Sequence, residues 1–308
     1  MLKLIITADL HIFQKFDMED LKQQLLLIVE TCKSANELWI LGDIFHTAKP
    51  TPPEIGLLVW FINQISIPIY IVYGNHDKIS DTEYSLDWLP KLHNNVTLYT
   101  KTQTRIIDGT KVLFGHFNVK ESLLGAYDMA LQSSFGVEDL DCVVAFIGHI
   151  HKGQVICGVN KVAYHPGSLT YLDFGERKDK KSFLVVEFTA GKFLVKTVPV
   201  HPTPIYQLDI SSDTFNIEIL KNIEPTARVK VKITYSDPAI NKLEFIKQLR
   251  KINVKEMKIV FKFLSPGLEE LRANQSPNYG VTIEELFPKF VEEFNIDEEV
   301  VKLIRKNL

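Results

Sequence analysis

Residues 37–46 read Glu-Leu-Trp-Ile-Leu-Gly-Asp-Ile-Phe-His. A short apolar run is cut off by glycine, and a carboxylate follows at once. Such a run suits a strand buried on both faces, whose carboxyl end delivers the aspartate to a sheet edge. The same grammar recurs four times along the chain. Leu4–Thr7 leads to Asp9-x-His11, and Ile69–Tyr73 to Gly74-Asn75-His76-Asp77. Lys111–Phe114 leads to Gly115-His116, and Val143–Ile147 to Gly148-His149-x-His151. Helical spacing fills residues 19–34 and 54–65 between the first three runs, the second after the loop-marking Pro50, Pro52 and Pro53. Strand, polar tip, helix and strand again is an α/β pattern. In such sheets sites lie outside the carboxyl ends of strands, where every cluster falls.

The clustered residue types share one chemistry. Carboxylate, imidazole and amide oxygen are donors for divalent cations, and two such ions ~3.5–4 Å apart suit phosphoryl displacement. Asp9, His11, Asp43 and His151 could hold one ion; Asp43, Asn75, His116 and His149 could hold the other, with Asp43 bridging. In D-x-H and H-x-H, residues two apart can point to one side. His76 follows a ligand Asn and precedes Asp77, which is expected to accept its ring N–H and fix the tautomer. A histidine beside the ions can protonate a leaving alkoxide. One D-x-H or G-N-H-D alone is an ordinary turn sequence; five clusters in order, each after a strand, are not. His93, His165 and His201 lie outside them and are expected at the surface or in the core.

Past residue 155 the pattern changes. Residues 155–164, 182–188 and 192–199 read as successive antiparallel strands completing a second sheet. Pro199, Pro202 and Pro204 mark a boundary, and residues 205–264 read strand, strand, helix, strand, a small α+β unit. From Lys221 to Lys262 there are eleven basic residues against four acidic ones. Lysine tails over a small core explain this as well as a phosphate-tracking surface does. Residues 265–281 read as a linker, and 282–307 as two amphipathic helices unable to bury their apolar face alone.

The 308 residues suffice for a large core domain plus smaller units, and a net charge of −3 excludes a generally basic nucleic-acid binder. Cys32, Cys142 and Cys157 are too few and scattered for a disulfide framework. With no signal peptide or spanning segment evident, a soluble intracellular, cytoplasmic protein is expected. There is no P-loop for ATP.

The five clusters resemble the signature of the calcineurin-like metallophosphoesterases, and most closely the Mre-eleven/SbcD branch of double-strand-break repair nucleases. Gly42-Asp43-Ile44-Phe45-His46 with the following Thr-Ala-Lys-Pro, and Pro166-Gly167-Ser168 with Glu176, carry that narrower likeness. The likeness implies a four-layer αββα sandwich of two mixed sheets over residues 1–200. It implies a capping, DNA-recognition domain over 201–270, and over 271–308 a linker and helical pair binding a Rad-fifty/SbcC-type coiled-coil ATPase. It also implies a manganese-dependent nuclease with 3′→5′ exonuclease activity on duplex ends and endonuclease activity on single strands. His76 becomes the transition-state acid and His46 helps seat the phosphate. Lys230, Lys232, Lys247, Arg250 and Lys251 are the DNA-binding candidates of the basic unit. A homodimer is implied through helices at 54–65 and 82–93, with Trp60, Trp88 and Leu89 as anchors. The rival readings are a phosphatase or small phosphodiesterase on the same scaffold, and a non-catalytic DNA-end clamp.

Overall fold

All five ligand-tipped runs form strands. They are β1 (Leu2–Thr7), β2 (Glu37–Leu41), β3 (Ile69–Val72), and, after β4 (Val96–Tyr99) and β5 (Gln103–Ile107), β6 (Thr110–His116). A two-strand ribbon, β7 (Leu123–Leu124) and β8 (Met129–Ala130), precedes β9 (Val144–Gly148). Then come β10 (Gln154–Cys157), β11 (Val162–His165), β12 (Ser182–Thr189) and β13 (Lys192–Pro199). The computed structural model describes residues 1–124, 129–130 and 135–264. The linker and helical pair expected beyond residue 264 lie outside the described residues.

Two sheets face each other. The first has order β13-β12-β1-β2-β3-β4, parallel from β1 to β4; the second has order β10-β11-β9-β6-β5. Between them lie Leu4, Ile6, Trp39, Leu41 and Val72 from the first sheet, and Val112, Phe114, Val144 and Phe146 from the second. Trp39 stacks on Phe114 at 3.8 Å. Glu37 crosses the sheets to take both Arg105 guanidinium nitrogens, at 2.8 and 3.2 Å. The outer face of the first sheet is covered by α1 (Met18–Cys32) and α2 (Pro52–Asn63), through Leu21, Leu25, Ile28, Leu58, Phe61 and Ile62. Asp17 caps α1 on the Asp20 amide, and Glu54 reaches back to the Thr51 amide at the start of α2. The outer face of the second sheet is covered by Val119, Val137, Leu140 and Cys142. The four-layer α/β order therefore holds, its fourth layer built among the described residues from a 3₁₀ turn and loop.

Two expectations are corrected. The hairpin β12–β13 does not complete the second sheet: β12 runs antiparallel to β1 and widens the first. Its run SFLVVEFT is buried along nearly its whole length, so either sheet would have satisfied it. Residues 82–93 are not a long helix; turns fill 85–88, and only the four residues of α3 (Leu89–Leu92) are helical. Leu89 is fully buried in the core under the helices, which removes it as a dimer anchor, whereas Trp60 and Trp88 pack partly buried against that core.

After the prolines, β14 (Ile205–Ser211), β15 (Arg228–Tyr235) and β16 (Glu256–Phe263) make an all-parallel sheet with α4 (Lys242–Leu249) on one face. Val229, Val231 and Ile233 alternate toward α4 and its Leu249. Arg228, Lys230 and Lys232 take the opposite face. This unit touches the first through a Lys255–Asp17 ion pair and through Arg228, whose guanidinium donates to the Tyr171 carbonyl at 3.3 Å.

Candidate metal centre

The loops after β1 and β2 run side by side. The Asp9 amide donates to the Gly42 carbonyl at 3.1 Å, His11 to Asp43 at 2.9 Å, and Ile12 to Ile44 at 2.8 Å. Asp9, His11, Asp43 and His149 all have left-handed backbone, with φ of 52°, 44°, 52° and 84°. Non-glycine residues are held there only where surroundings over-determine them, and such strain gathers at functional sites. Close approach also demands absent side chains. A Cβ on Gly74 would lie 2.1 Å from Asp43 Oδ1, and one on Gly148 would lie 1.9 Å from the Leu41 carbonyl oxygen.

Three groups of donors result among the described residues: one of His11, His46 and His76, and two that meet at Asp43. Asp9, His11 and His151 offer atoms within 4.8 Å of one another, and so do Asp43, His116 and His149. His11 Nε2 and His151 Nε2 are 3.0 Å apart. Asn75 Oδ1 lies 3.1 Å from His116 Nε2 and 3.0 Å from His149 Nδ1. The same Asp43 oxygen, Oδ2, is 3.6 Å from His11 Nε2 and 3.3 Å from His116 Nε2. All seven residues assigned from the sequence are thus brought together at one edge of the sheets.

The surroundings orient these donors. His116 Nδ1–H donates to the Leu41 carbonyl at 2.8 Å, and His151 Nδ1–H to Glu176 at 2.8 Å, so both rings turn Nε2 inward. The backbone amide of His149 donates to both Asp9 oxygens, at 2.9 and 3.1 Å. Burial pushes the Asp9 carboxyl up to about 6 against the pull of His116. Burial pushes His11 down to about 2, with His151 adding to it. Burial would also lower His116, but its hydrogen bond to Asp43 and the nearby Asp9 outweigh that and raise it to about 9. Asp43 is held well below the usual carboxylate range: burial opposes this, and the His116 hydrogen bond and charge prevail. Asp9 and Asp43, buried beside these rings and drawing His116 toward its charged form, make a donor set short of positive charge. Divalent cations fit it.

His76 lies at the edge of this set. Its amide donates to Asp43 Oδ1 at 2.9 Å, and its Nδ1–H to the His46 carbonyl at 2.6 Å. Asp77 does not orient the ring, which corrects the sequence expectation. Asp77 is fully buried and accepts from the amides of Gly74, Ile44 and Phe45, at 2.9, 3.1 and 3.5 Å. It therefore ties the β3 loop to the β2 loop. His46 sits over the site, its Nδ1 3.4 Å from His11 Nδ1 and its ring stacked on His76 at 5.5 Å. Outside the cluster, His165 is a core residue, bonded to the Ile147 carbonyl and to Ser122.

Two partners of the site are poorly marked in the sequence. Glu176 enters only within the family likeness. Lys181 carries no motif, yet its buried ammonium donates to Glu176 at 2.7 Å, to Ser168 at 2.8 Å and to the His151 carbonyl at 3.2 Å. Lys181 ends the charged run Arg177-Lys178-Asp179-Lys180-Lys181 just before β12, so nothing in the sequence separates it from its charged neighbours. The DNA-binding candidates do not share one face. Lys230 and Lys232 lie on the open face of the small sheet, whereas Lys247 sits on α4 and Arg250 and Lys251 follow it.

A two-layered sheet core with paired donor groups at the strand ends defines a metallophosphoesterase. Residues 2–191 match the calcineurin-like phosphoesterase superfamily domain, and the chain belongs to that superfamily. It is 22% identical over 289 residues to SbcD, a component of the nuclease SbcCD, of Staphylococcus saprophyticus, covering 72% of this chain and 75% of that one. It is 31% identical over 83 residues to the DNA double-strand break repair protein Mre11 of Archaeoglobus fulgidus, covering 24% of this chain and 19% of that one. Among solved structures, an archaeal phosphodiesterase aligns with a TM-score of 0.42 at 14% identity, over 64% of this chain and all of that one. No helix of the described residues is long and apolar enough to cross a membrane.

Proposed function

We propose that this phosphoesterase is a two-metal DNA nuclease that trims duplex ends 3′→5′, cuts single strands, and works with manganese. The observation that carries the reading is the single Asp43 oxygen between two complete donor groups. Asp9, His11, Asp43 and His151 would hold one cation, and Asp43, Asn75, His116 and His149 the other. When bound, the pair supplies Lewis-acid polarisation of the phosphate and activation of water. The rest falls to the chain's own groups. The His46 carbonyl accepts a hydrogen bond from Nδ1–H of His76, so Nε2 is the nitrogen that, in the imidazolium form, would give its proton to the leaving 3′ oxygen and return to a neutral ring. Asp77 keeps the His76 loop against the Asp43 loop, and His46 seats the phosphate.

The nuclease class is supported by the similarity to the staphylococcal SbcD, which spans most of both chains. Residues 201–270 would recognise DNA through their basic surface. Residues 282–307 would bind a Rad-fifty/SbcC-type ATPase, and a homodimer would form through the face near Trp60 and Trp88. The test is digestion of an end-labelled hairpin DNA in manganese by wild type and His76→Ser. Wild type should shorten the labelled strand, while the variant should bind manganese equally and cut roughly a hundredfold more slowly or worse. No degradation by wild type, alone or with the ATPase, defeats the proposal; hydrolysis of a phosphopeptide in its place would make the chain a phosphatase.

A further inference from the structure

Phe13 and Phe16 spend their rings in an unusual place. Both are partly exposed, and neither belongs to an apolar cluster of the described residues. They pack on each other at 5.2 Å and on His46, each at 4.8 Å. His46 in turn stacks on His76 at 5.5 Å and meets His11 at 5.3 Å. The two phenyl rings are therefore one ring removed from the donor groups. Lys15 places its ammonium 5.8 Å from the Phe13 ring centre.

The loop that carries them is held. Glu54, 1% exposed, accepts from the Gln14 amide at 2.6 Å. The Phe16 amide closes a turn on the Phe13 carbonyl at 2.9 Å, and the His46 amide pairs with the Ile12 carbonyl at 3.1 Å. A buried carboxylate thus fixes a loop whose apolar side chains face outward. Partly exposed phenyl rings give up part of their hydrophobic gain. Beside a phosphate-handling centre, every base of a strand offers a π-face to such rings, whatever its sequence.

We propose that Phe13, Phe16 and the His46 ring form a stacking platform for one unpaired nucleobase, that of the nucleotide adjoining the scissile phosphate, with Lys15 contacting the neighbouring phosphate. The proposal rests on the nuclease reading and sharpens it: the substrate at the centre is a frayed or single strand, and blunt duplex must open by a base pair to engage. The rings stand at 77°, 64° and 39° to one another, so a base stacked on one of them meets the edges of its neighbours, and the two phenyl rings carry no hydrogen-bonding group to read its identity.

The test crosses ring removal with base removal. Wild type, Phe13→Ala/Phe16→Ala and Phe13→Tyr/Phe16→Tyr are compared on a single-stranded oligonucleotide and on the same strand abasic at the labelled position. Readouts are kcat/KM in manganese and, on a strand with 2-aminopurine at that position, fluorescence quenching on binding. The alanine variant should lose roughly fivefold to a hundredfold in kcat/KM on the intact strand, and nothing further on the abasic one. Tyrosine should restore both rate and quenching. Additive losses, undiminished quenching in the alanine variant, or loss that tyrosine does not rescue overturns the platform while leaving the nuclease reading standing. A wild type that neither binds nor cuts the intact strand defeats the platform, and the nuclease reading falls with it only if the hairpin is also left whole, alone and with the ATPase.

Discussion

At the scale of single residues, the centre is readable where a donor follows its strand directly. Asp43 is separated from an apolar run by Gly42 alone, and His116 and His149 each follow a glycine as well. Asp77 misleads because two of its three amide partners, those of Ile44 and Phe45, lie 33 and 32 residues away. Sequence adjacency to His76 suggests a local bond that the turn does not make. Glu176 and Lys181 are hidden for the same reason: their meaning lies in their closeness to His151. Asp43→Asn should abolish binding at both donor groups, because one oxygen serves each. Manganese titration by calorimetry should fall from two sites to none, and retention of one full-affinity site would refute the sharing. Glu176 makes a second prediction. Burial would raise its carboxyl, but the His151 hydrogen bond and the Lys181 charge hold it down at about 2 against an ordinary 4.5. A depressed carboxyl contributes stability that is present above its unfolded value and disappears as pH falls through the folded one. Glu176→Gln should thus cost on the order of 3 kcal/mol at neutral pH, a gap that narrows between about pH 4.5 and 2. Urea midpoints of the two proteins across that range decide it; a gap constant with pH would contradict the assigned pairing.

At the scale of elements, strands β1, β2, β3 and β9 are visible as apolar runs with polar tips, and α1 and α2 as helical spacing. The β12–β13 hairpin cannot be placed from sequence, because a strand buried on both faces fits either sheet. Residues 82–93 show apolar spacing without the length of helix, since Trp88 and Leu89 are fixed by turns. What the tips require of one another is narrower than what the strands require. The end of β9 passes so near the end of β2 that Gly148 has no room for a methyl group. Gly148→Ala must push the Leu41 carbonyl away and, with it, the hydrogen bond that turns His116 inward. The expected cost is about 1–3 kcal/mol of stability, as for overpacked sites. Manganese affinity should fall as well, though no ligand has been altered. Unchanged affinity in a folded variant would show that the tips are free to separate.

At the scale of the whole molecule, the basic unit is joined to the centre by a short physical path. Arg228 and Lys230 place their cationic heads 5.8 and 5.9 Å from the Phe174 ring, and Phe174 opens the turn that ends in Glu176, the partner of His151. The open face of the small sheet continues outward from there. Lys230 pairs in register with Lys258, and Thr234 with Lys262, so the lysines of β15 and β16 share one surface. Lys247 and the Arg250–Lys251 pair lie across the sheet, on the α4 side. The eleven-to-four excess of basic residues does not distinguish these faces, because charge counted along a chain does not record which side of a strand it occupies. A strand of DNA leaving the metal groups past Phe174 would meet the open face first. Charge reversal at Lys230, Lys232 and Lys258 should therefore weaken binding to DNA ends uniformly across sequences. The salt dependence of log K should flatten by about 0.9 for each duplex phosphate no longer neutralised. Reversal at Lys247, Arg250 and Lys251 should do markedly less. Equal effects from the two triples, measured by anisotropy between about 50 and 200 mM salt, would mean that the basic unit acts as a diffuse charge and not as a directed track.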